Sequence, residues 1–305
     1  MIRIVYVTDY LVAGGIEHQL TQLITRLNRE QFEPHVLCLY GPRATNGRFD
    51  DPSHFLPALQ AANISVTVLD MGTGTIDKLR AARRILTYVR RLKPQIVHTY
   101  NYHSNMLSRA VRPLYPAETR LIGTLRIAYT PKQLLYTRLT QWACVKIVTL
   151  SPYLADQLIS AGGVPVQKVE VIPNGLDIAR FKHNPQPTLR QHLAPEARRV
   201  LLMVGRISQQ KAPHVLVQAL GSLKEQGKLP ADARLVIVGE REDANVQGQI
   251  EQLIHDYGLE DVIIQRPKTN QPEAYFHMAD VTVLPSLWEG LPNVALESLA
   301  AGRPV

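Results

Sequence analysis

At 305 residues the chain is too long for one ordinary domain and suits two of about 150 residues, each able to bury a sizeable core. Its formal charge of +8 is uneven: residues 1–175 hold 20 Lys+Arg against 11 Asp+Glu and residues 176–305 hold 14 against 15, so the first half suits an anionic partner such as a membrane surface, a phosphorylated acceptor or nucleic acid. No apolar run reaches the ~18 residues of a spanning helix, and MIRIVYV runs straight into a strand and is too short for a signal-peptide core, so a soluble or peripheral protein is expected.

The opening strand IRIVYV (2–7) is followed by a helix from Ile16, whose Leu20, Leu23, Ile24 and Leu27 repeat at helical spacing. Strands follow at 35–39, 65–69, 95–99, 120–124 and 146–150, separated by stretches long enough for right-handed helical crossovers. Around 168–177 the chain turns to Pro173, Asn174 and Gly175, and the tract to Pro195 is polar and Pro-bearing, which places a domain boundary at Gly175. A second series of strands follows at 200–205, 234–239, 261–265 and 280–284. The expected fold class is α/β: two doubly wound parallel-sheet domains, residues 1–175 and 176–305, with ligands at the carboxyl ends of the strands. Cys38 and Cys144 lie far apart in apolar strings, as small core residues of a protein in a reducing compartment, the cytoplasm.

Gly14 and Gly15 directly precede the first helix, where glycine admits close approach of a ligand and the helix start favours an anion; a tight turn without a ligand fits equally. GxGxxG is absent, which disfavours a dinucleotide site. In VGRISQQK, Arg206 and Lys211 stand on the loop after the first strand of the second domain, where two cations could stabilise a departing diphosphate without a metal. In the final EGLPNVALE, Pro292 suits a helix start and Gly302 its end, so Glu289 lies in the loop before the helix and Glu297 within it. The N–H groups of Gly290, Leu291, Asn293 and Val294 are candidates for an anion site between two carboxylates suited to hydroxyl-rich groups. A capping acid and a solvated helix Glu give the same spacing.

EGLPNVALE resembles the Glu-x7-Glu motif of the retaining glycosyltransferases of family 4, whose GT-B fold sets two Rossmann-like domains face to face. The resemblance extends along the chain through the Gly14-Gly15 loop, PQIVHTYNYHSN, VTLS, VIPNGLD and VGRISQQK. It implies that Glu297 binds the ribose of a nucleoside-diphosphate sugar and that Glu289 contacts the transferred sugar, positioning it rather than attacking covalently. Arg206 and Lys211 would stabilise the departing diphosphate, and Gly14-Gly15 would approach the donor phosphates or the acceptor. No metal or other cofactor is implied. The acceptor, which could be a glycan, a lipid-linked or a small molecule, stays unnamed. Many members carry His-x-His where this chain has His98-Thr99-Tyr100, and a histidine where it has Arg126; both residues are kept as candidate binding groups.

A nucleotide-sugar epimerase of similar architecture is the alternative enzyme, without support from the Glu pair. The alternation calls for another strand beyond Val305 and the resemblance for a C-terminal helix returning to the first domain. The second domain is therefore expected to be truncated, with donor binding as its surviving function if activity is lost. In KLRAARRILTYVRRLKP (78–94), Leu79, Ile85, Leu86, Val89 and Leu92 mark an apolar face. The opposite arginines form a solvated face or a contact with anionic lipid; nucleic acid is not expected, since no aromatic platforms are interleaved.

Overall fold

In a computed structural model, which describes residues 1–12, 14–41, 53–183 and 185–305, the Val/Ile-rich runs become strands of two parallel sheets. The chain forms two compact units, Met1–Asn174 and Gly175–Val305.

The first unit runs β1 (Ile2–Thr8), α1 (Gly15–Thr25), β2 (Phe32–Cys38), α2 (Leu56–Ala61), β3 (Ser65–Val68), α3 (Thr75–Leu92), β4 (Ile96–Thr99), α4 (Tyr102–Val111), β5 (Arg120–Leu125), α5 (Pro131–Thr140), β6 (Lys146–Thr149), α6 (Pro152–Ser160) and β7 (Val169–Val171). Its seven strands lie in the order β3-β2-β1-β4-β5-β6-β7. The chain therefore winds outward from β1 to β3, returns through α3, and winds the other way from β4, leaving a switch point between β1 and β4. Ile4, Tyr6, Val36 and Cys38 point to one face, where Leu20, Ile24, Leu59 and Ile64 complete a core cluster. Val5, Val7 and Leu37, the alternate residues, are fully buried too, as a sheet covered on both faces requires.

The second unit runs α7 (Ile178–Lys182), α8 (Leu189–Leu193), β8 (Arg199–Val204), α9 (Pro213–Glu225), β9 (Ala233–Val238), α10 (Ala244–Tyr257), β10 (Ile263–Arg266), α11 (Pro272–Met278), β11 (Val281–Thr282) and α12 (Asn293–Ala300). Its strand order, β10-β9-β8-β11, puts a second switch point between β8 and β11. Leu235 and Ile237 of β9 face a cluster with Val217, Leu220 and Ile250, while Val236 and Val238 face one with Phe181, Phe276 and Met278. Strict alternation over both faces makes each strand read as a continuous apolar run. Gly239 sits where β8 and β9 converge: a Cβ there would lie 1.7 Å from the Gly205 carbonyl oxygen.

Strand bounds shift by one to three residues, as in β2, which starts at Phe32, and β11, which keeps only Val281–Thr282, and four further sequence expectations change. The first helix begins at Gly15, one residue before Ile16. Residues 169–171, read as part of a turn, form β7 and pair in parallel with β6, because three residues are too few to show a period. The polar tract after Gly175 is not a bare linker: Phe181 of α7 is buried and stacks edge-on to Phe276, and Arg190 of α8 forks onto Asp280 at 2.9 and 3.0 Å. On α3, Leu79 is exposed and the inward face is Ala81, Ala82, Ile85, Tyr88 and Val89, because small alanines, not a leucine, fit beneath the first turns. Among the described residues no helix is long and apolar enough to cross a membrane. Cys38 and Cys144 are buried and unbridged, and burial holds the Cys38 thiol well above its usual range.

Candidate active site

Both switch points carry polar side chains, and each is built by residues far apart in sequence. In the second unit, β8 ends into the loop holding Arg206 and Lys211, and β11 leads into the loop holding Glu289. The two loops are tied together: Leu287 N–H donates to the Gln210 carbonyl at 2.9 Å and the Gln210 side-chain amide donates to the Trp288 carbonyl at 3.1 Å. Across that seam Lys211 Nζ meets Glu289 Oε1 at 2.5 Å, with side chains only 15 and 23% exposed. The aliphatic part of Lys211 lies over Gly205, at a distance where even a Cβ would make ordinary van der Waals contact.

Arg206 does not join this pair. Its guanidinium donates to Glu242 at 2.6 Å and to Gln210 at 3.3 Å. The two cations expected to act as one unit are thus engaged by separate carboxylates, and Glu242, in the acid run after β9, was not singled out from the sequence.

Gly290 and Leu291 form the bend into α12, which Asn293 and Val294 open; Pro292 stands at the N-cap and no side chain caps the helix. Val294 packs on the core beneath. The helix is anchored at its other end: the buried Ser298 hydroxyl donates to Thr282 of β11 at 2.7 Å, and Gly302 follows with φ +73, the left-handed geometry that ends helices. Glu297, a turn into α12, is partly buried, and burial pushes its carboxyl up to about 7 against the pull of Arg180. Arg180 itself is held by Glu273 at 2.9 Å. A largely covered ammonium and carboxylate beside a helix start without a side-chain cap can exchange their mutual pairing for the phosphates and hydroxyls of a ligand.

In the first unit, the loop after β1 and the start of α4 meet at the other switch point. Asp9, 3% exposed, accepts from the backbone N–H of Ser104 at 2.8 Å and of His103 at 3.1 Å, and His103 Nδ1 lies 3.2 Å from the same carboxylate. The start of α4 is therefore already occupied by an internal anion. Asn101, the residue before it, holds φ +62, and its side chain accepts from the Thr8 hydroxyl at 2.9 Å.

Gly14 is the N-cap of α1 with ordinary extended backbone, so it is required by contact and not by φ: a Cβ would lie 2.3 Å from Glu17 Oε2. Glu17 folds back over the glycine loop, is 5% exposed, and is hydrogen-bonded to the Asn101 side chain. Burial, reinforced by Asp9, pushes its carboxyl up to about 7, with its hydrogen bonds and Arg126 pulling the other way. Arg126, just after β5, is buried; its Nη2 donates to Asn174 at 2.5 Å, its guanidinium lies 5.6 Å from the Tyr100 ring, and its Nε has no partner among the described residues. His98 Nε2 is 2.7 Å from the Thr124 hydroxyl, and the ring sits against Tyr6 and Tyr100. Burial, with Arg126 nearby, lowers it to about 3, so it is neutral at physiological pH.

The structure thus brings Gly14, Arg126 and His98 into one neighbourhood through Glu17, Asn101 and Tyr100. Asp9, Glu17, Asn101, His103 and Asn174 were not foreseen; the signal available was only a polar residue next to a strand end. Among the described residues there is no group of three or more His, Cys, Asp or Glu arranged to hold a metal.

Comparison with known proteins bears on both units. The family model described as Glycosyltransferase Family 4 matches residues 13–180, and that described as Glycosyl transferases group 1 matches 186–305. A D-inositol 3-phosphate glycosyltransferase of Pseudarthrobacter chlorophenolicus is 36% identical over 154 residues, half of this chain and 36% of that protein. Two further glycosyltransferases of that name are matched over 40 and 38% of their length, so the chain spans well under half of these curated relatives. The Escherichia coli UDP-Gal:alpha-D-GlcNAc-diphosphoundecaprenol alpha-1,3-galactosyltransferase is 26% identical over 99% of this chain and 78% of its own. Among solved structures, Anabaena HepE in complex with UDP and glucose superposes with a TM-score of 0.82 at 18% identity, covering all of this chain and 80% of that one, which shows a shared GT-B fold. With one family model over more than half of its length and a second over the remainder, the chain belongs to glycosyltransferase family 4.

Proposed function

We propose that this chain transfers a hexose from a nucleoside-diphosphate sugar to an acceptor hydroxyl with retention of configuration, and that the donor binds at the β8/β11 switch point. The observation that carries the reading is the Lys211–Glu289 contact beside the uncapped start of α12. In the proposed complex the diphosphate takes Lys211 and the N–H groups of Gly290, Leu291, Asn293 and Val294, Glu289 receives hydroxyls of the transferred sugar, and Glu297 receives the ribose. Lys211 then balances the charge that grows on the leaving phosphate as the sugar–oxygen bond breaks, without a metal, and a phosphate oxygen takes the acceptor proton from the same face. Arg206 reaches that charge only by exchanging Glu242 for it.

The first unit, carrying Gly14, Gly15, Arg126 and neutral His98, is assigned to the acceptor. The relatives' names range from an inositol phosphate to a lipid-linked diphosphate as acceptor, and the basic first half suits either of these and peripheral contact with an anionic membrane. Solved neighbours bound to UDP make uridine the base to try first. Thermal melts with UDP, GDP, ADP and their sugars test the reading, because a ligand of the native state raises Tm. A chelator-insensitive rise with UDP that Lys211→Met abolishes is expected; no rise with any nucleotide from the folded chain overturns it.

A further inference from the structure

Helix α5 carries apolar side chains on both faces. Leu134 and Thr137 are buried against the unit, and the Tyr136 hydroxyl donates to the Met106 carbonyl of α4 at 2.8 Å, which fixes how the helix is turned. The outward residues are Leu135, Leu139 and, in the turn that continues the helix, Trp142, at 56, 66 and 58% exposure. Their spacing, i, i+4 and i+7, sets them in one stripe. Lys132 and Arg138, both exposed, flank it. From Glu118 to Asp156 the chain contains no acid between the two, while Arg120, Arg126, Lys132, Arg138 and Lys146 all fall inside.

We propose that this stripe docks on an anionic lipid bilayer, with Leu135, Leu139 and Trp142 entering the headgroup–acyl boundary and Lys132 and Arg138 meeting lipid phosphates. Leucines with a tryptophan at the edge are the side chains that such a boundary takes up, and cations beside them add attraction to acidic lipid. A second copy of the chain is a poorer occupant, since Lys132 and Arg138 beside one stripe would meet the same two cations beside the other. Helix α3, the basic stretch conspicuous in the sequence, is more committed internally: Arg84 donates to the Leu69 carbonyl at 2.5 Å, Arg90 to that of Leu114 at 3.0 Å, and Arg80 faces Asp77 at 3.6 Å. The proposal deepens the membrane contact suggested above by naming its surface. It is read without turnover, so it can fail while the transferase reading stands, and the reverse.

The test is co-sedimentation of the full chain with vesicles of phosphatidylcholine alone or mixed with phosphatidylglycerol. Binding to the mixed vesicles is expected, with a blue shift of tryptophan emission that Trp142→Phe removes. The triple change Leu135→Ser, Leu139→Ser, Trp142→Ser lowers binding about tenfold or more, and Lys132→Gln with Arg138→Gln lowers it about fivefold per site at low salt. All five positions are exposed, and unchanged thermal melts confirm that the variants are folded. Binding that survives the triple change, that is lost instead with Ile76→Ser and Leu79→Ser on α3, or that gives way to self-association abolished by the triple change would each overturn the proposal.

Discussion

Replacing Lys211 by Met keeps the length of the side chain and removes its charge, which isolates the contact with Glu289. Opposite charges at 2.5 Å attract by roughly 5–7 kcal/mol at an effective dielectric of about 20, but most of this is offset by the desolvation of two groups that are largely covered. The variant leaves the Glu289 carboxylate 23% exposed and without that partner, so the second unit should lose about 1–3 kcal/mol of stability. Glu289→Gln should lose a similar amount, and the double variant less than the sum, with a coupling energy of about 1–3 kcal/mol in urea unfolding. If Lys211 also carries leaving-group charge, UDP-sugar turnover, read as released UDP, should fall about 10²–10³-fold in Lys211→Met even under conditions where the variant is fully folded. Coupling below about 0.3 kcal/mol, the level of independent sites, together with turnover within a few-fold of wild type would refute both the pairing and the role given to it.

Other consequences follow from particular contacts. Glu17 has a folded-state pKa near 7 against 4.5 unfolded, so the native state holds its proton longer. Its contribution to stability should therefore fall as pH rises from about 4.5 to 7 and level off above, by up to about 3 kcal/mol; Glu17→Gln should remove that contribution, leaving the similar one from Glu297, and raise Tm at pH 8 relative to wild type. Gly14→Ala should cost about 1–3 kcal/mol, because the new methyl displaces the Glu17 carboxylate and not because of its backbone angles; adding Glu17→Ala should recover much of that increment. Gly239→Ala should cost about 3 kcal/mol or more or prevent folding, since its Cβ meets a backbone carbonyl that cannot swing aside, whereas Gly205→Ala, whose Cβ would meet only Lys211 at 3.5 Å, should be tolerated; comparison of the two melts checks this.

Much of the fold is legible in the sequence because strands buried on both faces write themselves as short Val/Ile/Leu runs, as RLVIV does for β9. Leu79 misled because helical spacing names a stripe but not which of two neighbouring stripes faces inward, and on α3 the alanines at 81 and 82 took the close contact. Residues 178–193 read as linker because α7 and α8 have five residues each, too few for a period, and owe their place to Phe181, Arg180 and Arg190 reaching α11 and Asp280, the residue before β11.

At the candidate site the local and the long-range separate cleanly. The order of amino acids by itself determined that Pro292 opens a helix, that Gly302 closes it, and that Glu289 and Glu297 stand before and within it, since those follow from dihedral preferences and the 3.6-residue turn. Only the tertiary structure decided that Lys211 meets Glu289 while Arg206 turns to Glu242, that Asp9, Glu17 and Asn101 gather near the end of β1, and that Asn174 reaches Arg126 after β5. Those meetings depend on which strands lie side by side, β8 with β11 and β1 with β4, and that order is set by the burial of both faces of a whole sheet, to which no short stretch of sequence has access.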